Sequence, residues 1–202
     1  MVELALSGVP VATYGDMINV PGTKMSLVDA QNLGADVRMV YSIDQIINEK
    51  ERVFFAVGFE TTTPMTAKLL SAGIRVFTAH KVMPPAMRVL TQEMNLDGFI
   101  DPGHVSAIIG SDVWGTMDIP LPQVISGFKP DQLLHAILTL LGLIKNREIR
   151  VVNDYPEVVF PDGNPIAKRM IRETLKPVDA EWRGMGVIPL SGLAPIDERL
   201  DA

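Results

Sequence analysis

No cysteine occurs among the 202 residues. That absence excludes disulfides, thiolate metal sites and an iron–sulfur cluster held in the usual way. No apolar run reaches the roughly 18–20 residues that cross a bilayer, and the N-terminus lacks a basic region followed by an apolar core and a small-residue cleavage site. The cytoplasm is therefore the expected location, with no membrane as partner. Lys and Arg never cluster beyond pairs, and a formal charge of −6 with a pI near 5.0 argues against a nucleic-acid groove. Missing too are a Gly-rich run ending in Gly-Lys-Ser/Thr and a three-glycine dinucleotide fingerprint, so ordinary nucleotide binding is unsupported. No Gly-x-Ser-x-Gly elbow accompanies Ser106, Ser126 or His104, and no motif supports a Ser/His/Asp triad. The chain has no repeat, low-complexity tract or clear linker.

What is present is apolar content sufficient for one core, or for two small lobes sharing one: 47% hydrophobic residues and a mean hydropathy of +0.21. The organising stretch is Val53–Ala67, VFFAVGFETTTPMTA. Its first five residues read as a buried strand that Gly58 breaks. Thr63 is the expected hydroxyl cap of a helix whose first residue is Pro64, a position that needs no N–H. Between strand and helix lie Glu60, Thr61 and Thr62, a carboxylate and two hydroxyls facing exposed helix N–H groups.

The same rhythm runs through the rest. Strands are expected at Val9–Tyr14, Asp36–Tyr41, Ile74–Ala79, Gly98–Ile100 and Pro122–Ser126. Helices are expected at Met25–Leu33 (capped by Thr23), from Ser42 or Asp44 to Glu49, at Pro84–Met94 and at Lys129–Lys145. In the last of these Leu133, Leu134, Ile137, Leu138, Leu141 and Ile144 form an apolar stripe. Val151–Phe160 reads as extended, Asn164 as the cap of a helix over Pro165–Leu175, and Glu181–Pro195 as a Gly/Pro-punctuated tail too apolar to be solvated. Alternation of this kind predicts an α/β fold of mostly parallel sheets with helices on both faces.

In a parallel sheet the carboxyl ends of the strands share one edge. Gly15-Asp16, Gly58–Thr63, His80-Lys81, Asp101-Pro102-Gly103-His104 and Gly127 all fall there, and one crevice would use them together. Each also has a plain structural reading: the threonines as helix caps, Asp16 and Asp101-Pro102-Gly103 as turn formers, and His135 as cover for a helix surface. His80 and His104 are not at local ligand spacing, so no metal ligand set is assigned. The residues alone define an α/β protein with a polar crevice.

Four motifs carry a resemblance. TYGDMINVPG at Thr13–Gly22, GFETTTPMTA at Gly58–Ala67, DPGHVSAIIG at Asp101–Gly110 and EWRGMGVIPLSGL at Glu181–Leu193 together resemble the HypD family, which serves in maturation of [NiFe] hydrogenases. The resemblance implies a scaffold that, with HypC, carries iron and its cyanide and carbon monoxide ligands as the Fe(CN)2CO unit is assembled. It also implies cyanide delivery by HypE and transfer to the hydrogenase large subunit. It implies two α/β lobes around a cleft and, in full-length members, a [4Fe–4S] cluster. Glu60, Thr61 and Thr62 would line that cleft beside Pro102, Gly103 and His104, with Asp16 near it; His80, Asp101, Trp182 and Arg183 are further candidates. Cyanide accepts hydrogen bonds, so hydroxyls, helix N–H groups and a protonated histidine would hold it.

The departures are instructive. The family's thiols lie in motifs N-terminal and C-terminal to what this chain contains, so it is expected to be an internal fragment that binds no cofactor through cysteine. Asp101 stands where the family pattern has glycine, placing a negative charge near a site for an anion, and Asn19 stands where it has arginine. The expected division is a partial first lobe over 1–50, a second lobe over 51–146 and a return segment over 147–202 packing on the first lobe. An incomplete first lobe leaves an apolar sheet face uncovered, so a marginal or oligomeric fragment is expected. Two alternatives remain open: a thiol-free binding module for HypC or HypE, and an α/β enzyme acting on a small anionic substrate with His104 and Glu60 as acid and base.

Overall fold

The computed structural model describes residues Met1–Ala202. Two parallel sheets, each with helices on both faces, and one antiparallel hairpin make up the architecture. The first sheet has the order β2-β1-β3-β4, from β1 (Val11–Tyr14), β2 (Val37–Val40), β3 (Val53–Gly58) and β4 (Val76–His80). All its pairings are parallel. The second sheet runs β5-β6-β7, from β5 (Phe99–Pro102), β6 (Gln123–Ser126) and β7 (Val151–Asn153), again parallel. An expected lobe boundary at residue 50 would cut this first sheet, because β3 hydrogen-bonds to β1 and carries β4 with it.

Alternation along the first-sheet strands decides which face each core covers. Ala12, Phe54 and Ala56 point toward α3 (Thr63–Ser71) and α8 (Pro165–Thr174), where Leu69, Leu70, Ile74, Leu175 and Leu193 complete a buried cluster. On the opposite face, Val11 and Val37 pack with Ala5 of α1 (Val2–Leu6) and Leu27 of α2 (Leu27–Asn32). The α2 cap is Ser26, not Thr23: its hydroxyl accepts from Asp29 N while the Asp29 carboxylate accepts from Ser26 N at 2.9 Å. That reciprocal box satisfies two donors at once, which a threonine further upstream cannot do. The helix expected after Ser42 is only a single turn, Ile43–Gln45.

In the second sheet Phe99 and Ile125 face Val105 of α5 (Gly103–Ile109), Trp114 of α6 (Ser111–Gly115) and Met87 of α4 (Met83–Glu93). The other face is covered by α7 (Pro130–Asn146) through Ala136 and Leu143. Two elements tie the sheets together. Helix α4 gives Met87 to the second core while Val82, just before it, packs on the first. Helix α8 gives Met170 and Ile171 to the first core, and Lys168 Nζ reaches the α5 carbonyl of Ile109 at 3.1 Å.

The apolar tail is the hairpin β8 (Leu175–Trp182) and β9 (Gly186–Pro195). It docks on the end of β4 through Val82 N to Ser191 O at 2.8 Å. Only Val151–Asn153 of the stretch expected to be extended to Phe160 is a strand.

Candidate functional site

In the first sheet, β1 and β3 are neighbours whose connections leave in opposite directions, β1 outward to β2 and β3 outward to β4. Such a switch point opens a crevice at the carboxyl ends of the two strands. The loop after β3, Phe59–Thr62, lies at that edge.

Its geometry is set by Gly58, whose φ of +131° turns the chain out of the strand so tightly that a Cβ there would strike the Thr62 hydroxyl. Thr62 Oγ1 donates to Val57 O at 3.2 Å and to Phe59 O at 3.1 Å. Thr63 Oγ1 donates to Glu60 O at 2.8 Å. Thr63 is thus the first residue of α3 rather than its cap; Thr62 holds the cap position without a capping side-chain bond. Both hydroxyls give their protons to nearby carbonyls, and Phe59 O also accepts from Thr62 N at 3.1 Å. Backbone N–H groups of Met65 and Thr66 are also taken, by Thr62 O. Of the three threonines, Thr61 is the one that faces solvent.

Glu60 turns inward. It is 5% exposed, and Oε1 accepts from Met83 N at 3.0 Å, the first N–H of α4. Pro84 and Pro85 follow and carry no N–H, so this carboxylate meets one of the few donors at that helix end. Oε2 has no partner. Burial pushes the carboxyl up to about 7, against the pull of its own N–H and that of Met83.

His80 closes β4 and is 2% exposed. Nδ1 lies 3.2 Å from Gly58 O, and Nε2 lies 2.8 Å from Thr66 Oγ1. A carbonyl can only accept, so Nδ1 carries the proton and Nε2 accepts from the threonine. Burial lowers the imidazole's pKa, with the Gly58 carbonyl opposing, and this neutral histidine locks β4 to β3 and α3.

Lys81 Nζ sits 6.0 Å from the centre of the Trp182 ring, and Phe59 lies 6.1 Å from the same indole. Trp182 Nε1 donates to Ser191 Oγ at 2.8 Å, which fixes the ring. This aromatic border beside Glu60 was not among the residues singled out as a group. Arg183 is exposed in the hairpin turn. Asp16 is exposed and lines a shallow hollow with Tyr14, Met39 and Tyr41, between the ends of β1 and β2. The Tyr14 phenol is raised by burial and by the Asp16 charge.

In the second sheet, Pro102 ends β5 and Gly103 opens α5 against β6 so closely that a Cβ would strike Ser126 O and lie 2.7 Å from the Tyr155 ring. His104 is exposed, its ring 4.4 Å from that of Phe128. Asp101 departs from the expectation of a charge facing the crevice. It is fully buried, on the strand face shared with Phe99 and its partner Ile125, and neither carboxylate oxygen has a partner. Burial pushes its pKa up to about 7. No side-chain hydrogen bond joins Glu60, Thr61 and Thr62 to Pro102, Gly103 and His104. No group of three or more His, Asp or Glu side chains gathers to hold a metal ion. With no thiolate in the sequence, these residues do not fit a [4Fe–4S] cluster.

The fold and loops define a class: an α/β protein of two parallel sheets with a Gly-Phe-Glu-Thr-Thr loop at the switch point and a Pro-Gly-His turn on the second sheet. The profile of the HypD family, described as the "Hydrogenase formation hypA family", matches residues 1–200, and the chain belongs to that family. It is 39% identical to a putative hydrogenase expression/formation protein of Methanocaldococcus jannaschii over 95% of this chain and 58% of that relative. It is 39% identical to the hydrogenase maturation factor HypD of Rhodobacter capsulatus, over 90% of this chain and 53% of the relative. The corresponding Escherichia coli factor is 38% identical over 94% of this chain and 56% of its own length. The chain thus spans little more than half the length of these curated relatives. No helix is long and apolar enough to cross a membrane.

Proposed function

We propose that this chain is an α/β part of a hydrogenase-maturation scaffold and that its role is to hold, not to catalyse. The observation that carries the reading is the switch-point loop Gly58–Thr62, buried on its Glu60 side and open at Thr61, in a chain of the HypD family. The maturation factors it resembles are named for that process. Within the reading, Thr61 and His104 are the groups free to donate to a cyanide ligand of the Fe(CN)2CO cargo, with Glu60, Thr62, Pro102 and Gly103 shaping the two loops and Asp16 at the margin. The iron itself would be held by thiolates outside this sequence, and HypC- and HypE-type proteins are the partners.

An acid/base enzyme using Glu60 and His104 gains no support, since no hydrogen bond links the two and Glu60 is committed to Met83 N. The test uses a complete homologue, with the threonine aligned to Thr61 changed to valine and the histidine aligned to His104 changed to alanine. Co-purification with HypC and the infrared bands of iron-bound cyanide are then read. Loss of the cyanide bands with HypC still bound is the expected result. Unchanged bands overturn the role of these loops.

A further inference from the structure

Helix α7 is built inside out. Toward the sheet it offers a narrow strip of Ala136, Leu140 and Leu143, while its large side chains face solvent. Leu134 is 64% exposed, Ile137 42%, Leu138 68% and Leu141 56%, with Leu133 beside them. Leu134, Ile137, Leu138 and Leu141 recur at i, i+3, i+4 and i+7, one face of the helix, a pattern that has no use on a solvated face.

We propose that this stripe pairs with the same stripe of a second copy of the chain, the two α7 helices running antiparallel about a two-fold axis between Ile137 and Leu138. Three features commit it to that occupant. First, the pattern is self-complementary: with the axis there, Leu134 meets Leu141 of the other copy and Ile137 meets Leu138, an isologous contact. Second, the charges at the ends are opposite. Asp131 lies in the first turn and Lys145 in the last, so an antiparallel pair brings acid to base where a parallel pair brings like to like. Third, the area suffices. Five half-exposed Leu and Ile side chains at roughly 100 Å² each expose on the order of 500 Å² per copy, so a pair buries about 1,000 Å², the lower range of specific interfaces. Gly142, on the flank of the stripe, lets the backbones approach.

The absence of native cysteine makes the test clean, because introduced thiols have no competitors. Leu134 and Leu141 are two turns apart, about 10 Å, too far to bridge within one helix. Mild oxidation of the L134C/L141C double variant is expected to give a disulfide-linked dimer, while L134C alone stays largely uncrosslinked. Sedimentation of the unaltered 202-residue chain is expected to give twice its 22.1 kDa, falling to the single mass in L134E/L138E. Circular dichroism serves as the folding control, and the variant's spectrum is expected to be unchanged since both side chains are exposed. Crosslinking of L134C alone as readily as the double variant means parallel pairing and overturns the proposal. So does an unaltered chain that sediments as a monomer, whether its stripe stays bare or becomes protected only when a HypC- or HypE-type protein is added.

Discussion

Gly58 shows how one residue fixes a loop. At φ +131° any L side chain is strained, and a Cβ would also press on the Thr62 hydroxyl. Gly58→Ala is expected to cost about 2–3 kcal/mol in urea unfolding; a loss under half a kcal/mol would mean the loop adapts freely. Thr66→Val removes the proton that His80 Nε2 accepts and leaves a buried nitrogen unpaired, at a cost of roughly 1–2 kcal/mol. A double-mutant cycle with His80→Phe isolates the pair, and a coupling energy near zero would refute it. Asp101 makes the third case, and its sign runs opposite to the usual carboxylate. Its folded pKa is about 7 against an ordinary value of 3.8, so between those pH values the folded state keeps a proton that the unfolded chain has lost. Its contribution is therefore neutral below about pH 4, falls as pH rises, and reaches a penalty of up to about 4 kcal/mol above pH 7. Glu60, moved from 4.5 to about 7, adds to the same slope. Asp101→Ala is expected to raise stability at pH 8 by on the order of 2 kcal/mol and to flatten the loss between pH 5 and pH 8. An unchanged slope would show that the carboxyl finds a partner or water. In the sequence Asp101 stands out of the family pattern at a strand end, but the face it occupies depends on strand register, which the sequence does not make legible, so its burial is not foreseen there.

Element by element, the sequence was most informative where local chemistry decides. Asn164 before Pro165 does cap α8, accepting from Ile166 N at 3.1 Å and Ala167 N at 3.0 Å. The strands of both parallel sheets were readable from short β-branched runs between Gly and Pro breaks. Ser26-x-x-Asp29 carried a capping-box signal that an upstream threonine obscured, and Ser26→Ala is expected to cost about 1 kcal/mol, measured by thermal melting. A shift too small to resolve would mean Asp29 caps alone. The hairpin β8–β9 was not legible for a different reason. Pro177, Pro189 and Pro195 read as loop signals, and a register shift between Val178 and Ala180 breaks the alternation. Its edge strand tolerates proline because β8 has a partner on one side only. The α7 stripe was readable as a stripe, but not its direction, which is set by the narrow Ala136–Leu143 strip fitting closer to the sheet.

At the scale of the whole molecule, the candidate loops were legible as strand ends, while their distribution over two separate sheets was not, since periodicity carries no sheet order. The same sheet order leaves one face unevenly covered. Helices α1 and α2 pack over β1 and β2, but Phe55 of β3 and Phe77 of β4 look out from the neighbouring half of that face, their rings 5.9 Å apart. Together with Leu6, Met17, Val20 and Met25 they line a half-open hollow of about 700 Å³. Methionine and phenylalanine walls adapt to apolar guests, and an apolar hollow of this size is not stabilised by the water that fills it. The native chain is therefore expected to bind an anilinonaphthalene dye at neutral pH with its near-ultraviolet dichroism intact, which separates the hollow from a molten state. Lys24 at the rim favours the dye's sulfonate. The α7 stripe could take up the same dye, so the comparison is made in the L134E/L138E background. There Phe77→Ser is expected to lower dye affinity several-fold, since Phe77 is 39% exposed and its loss opens the wall rather than the core. Equal dye binding by both variants would place the apolar surface elsewhere and show that the sheet face is better covered than its order implies.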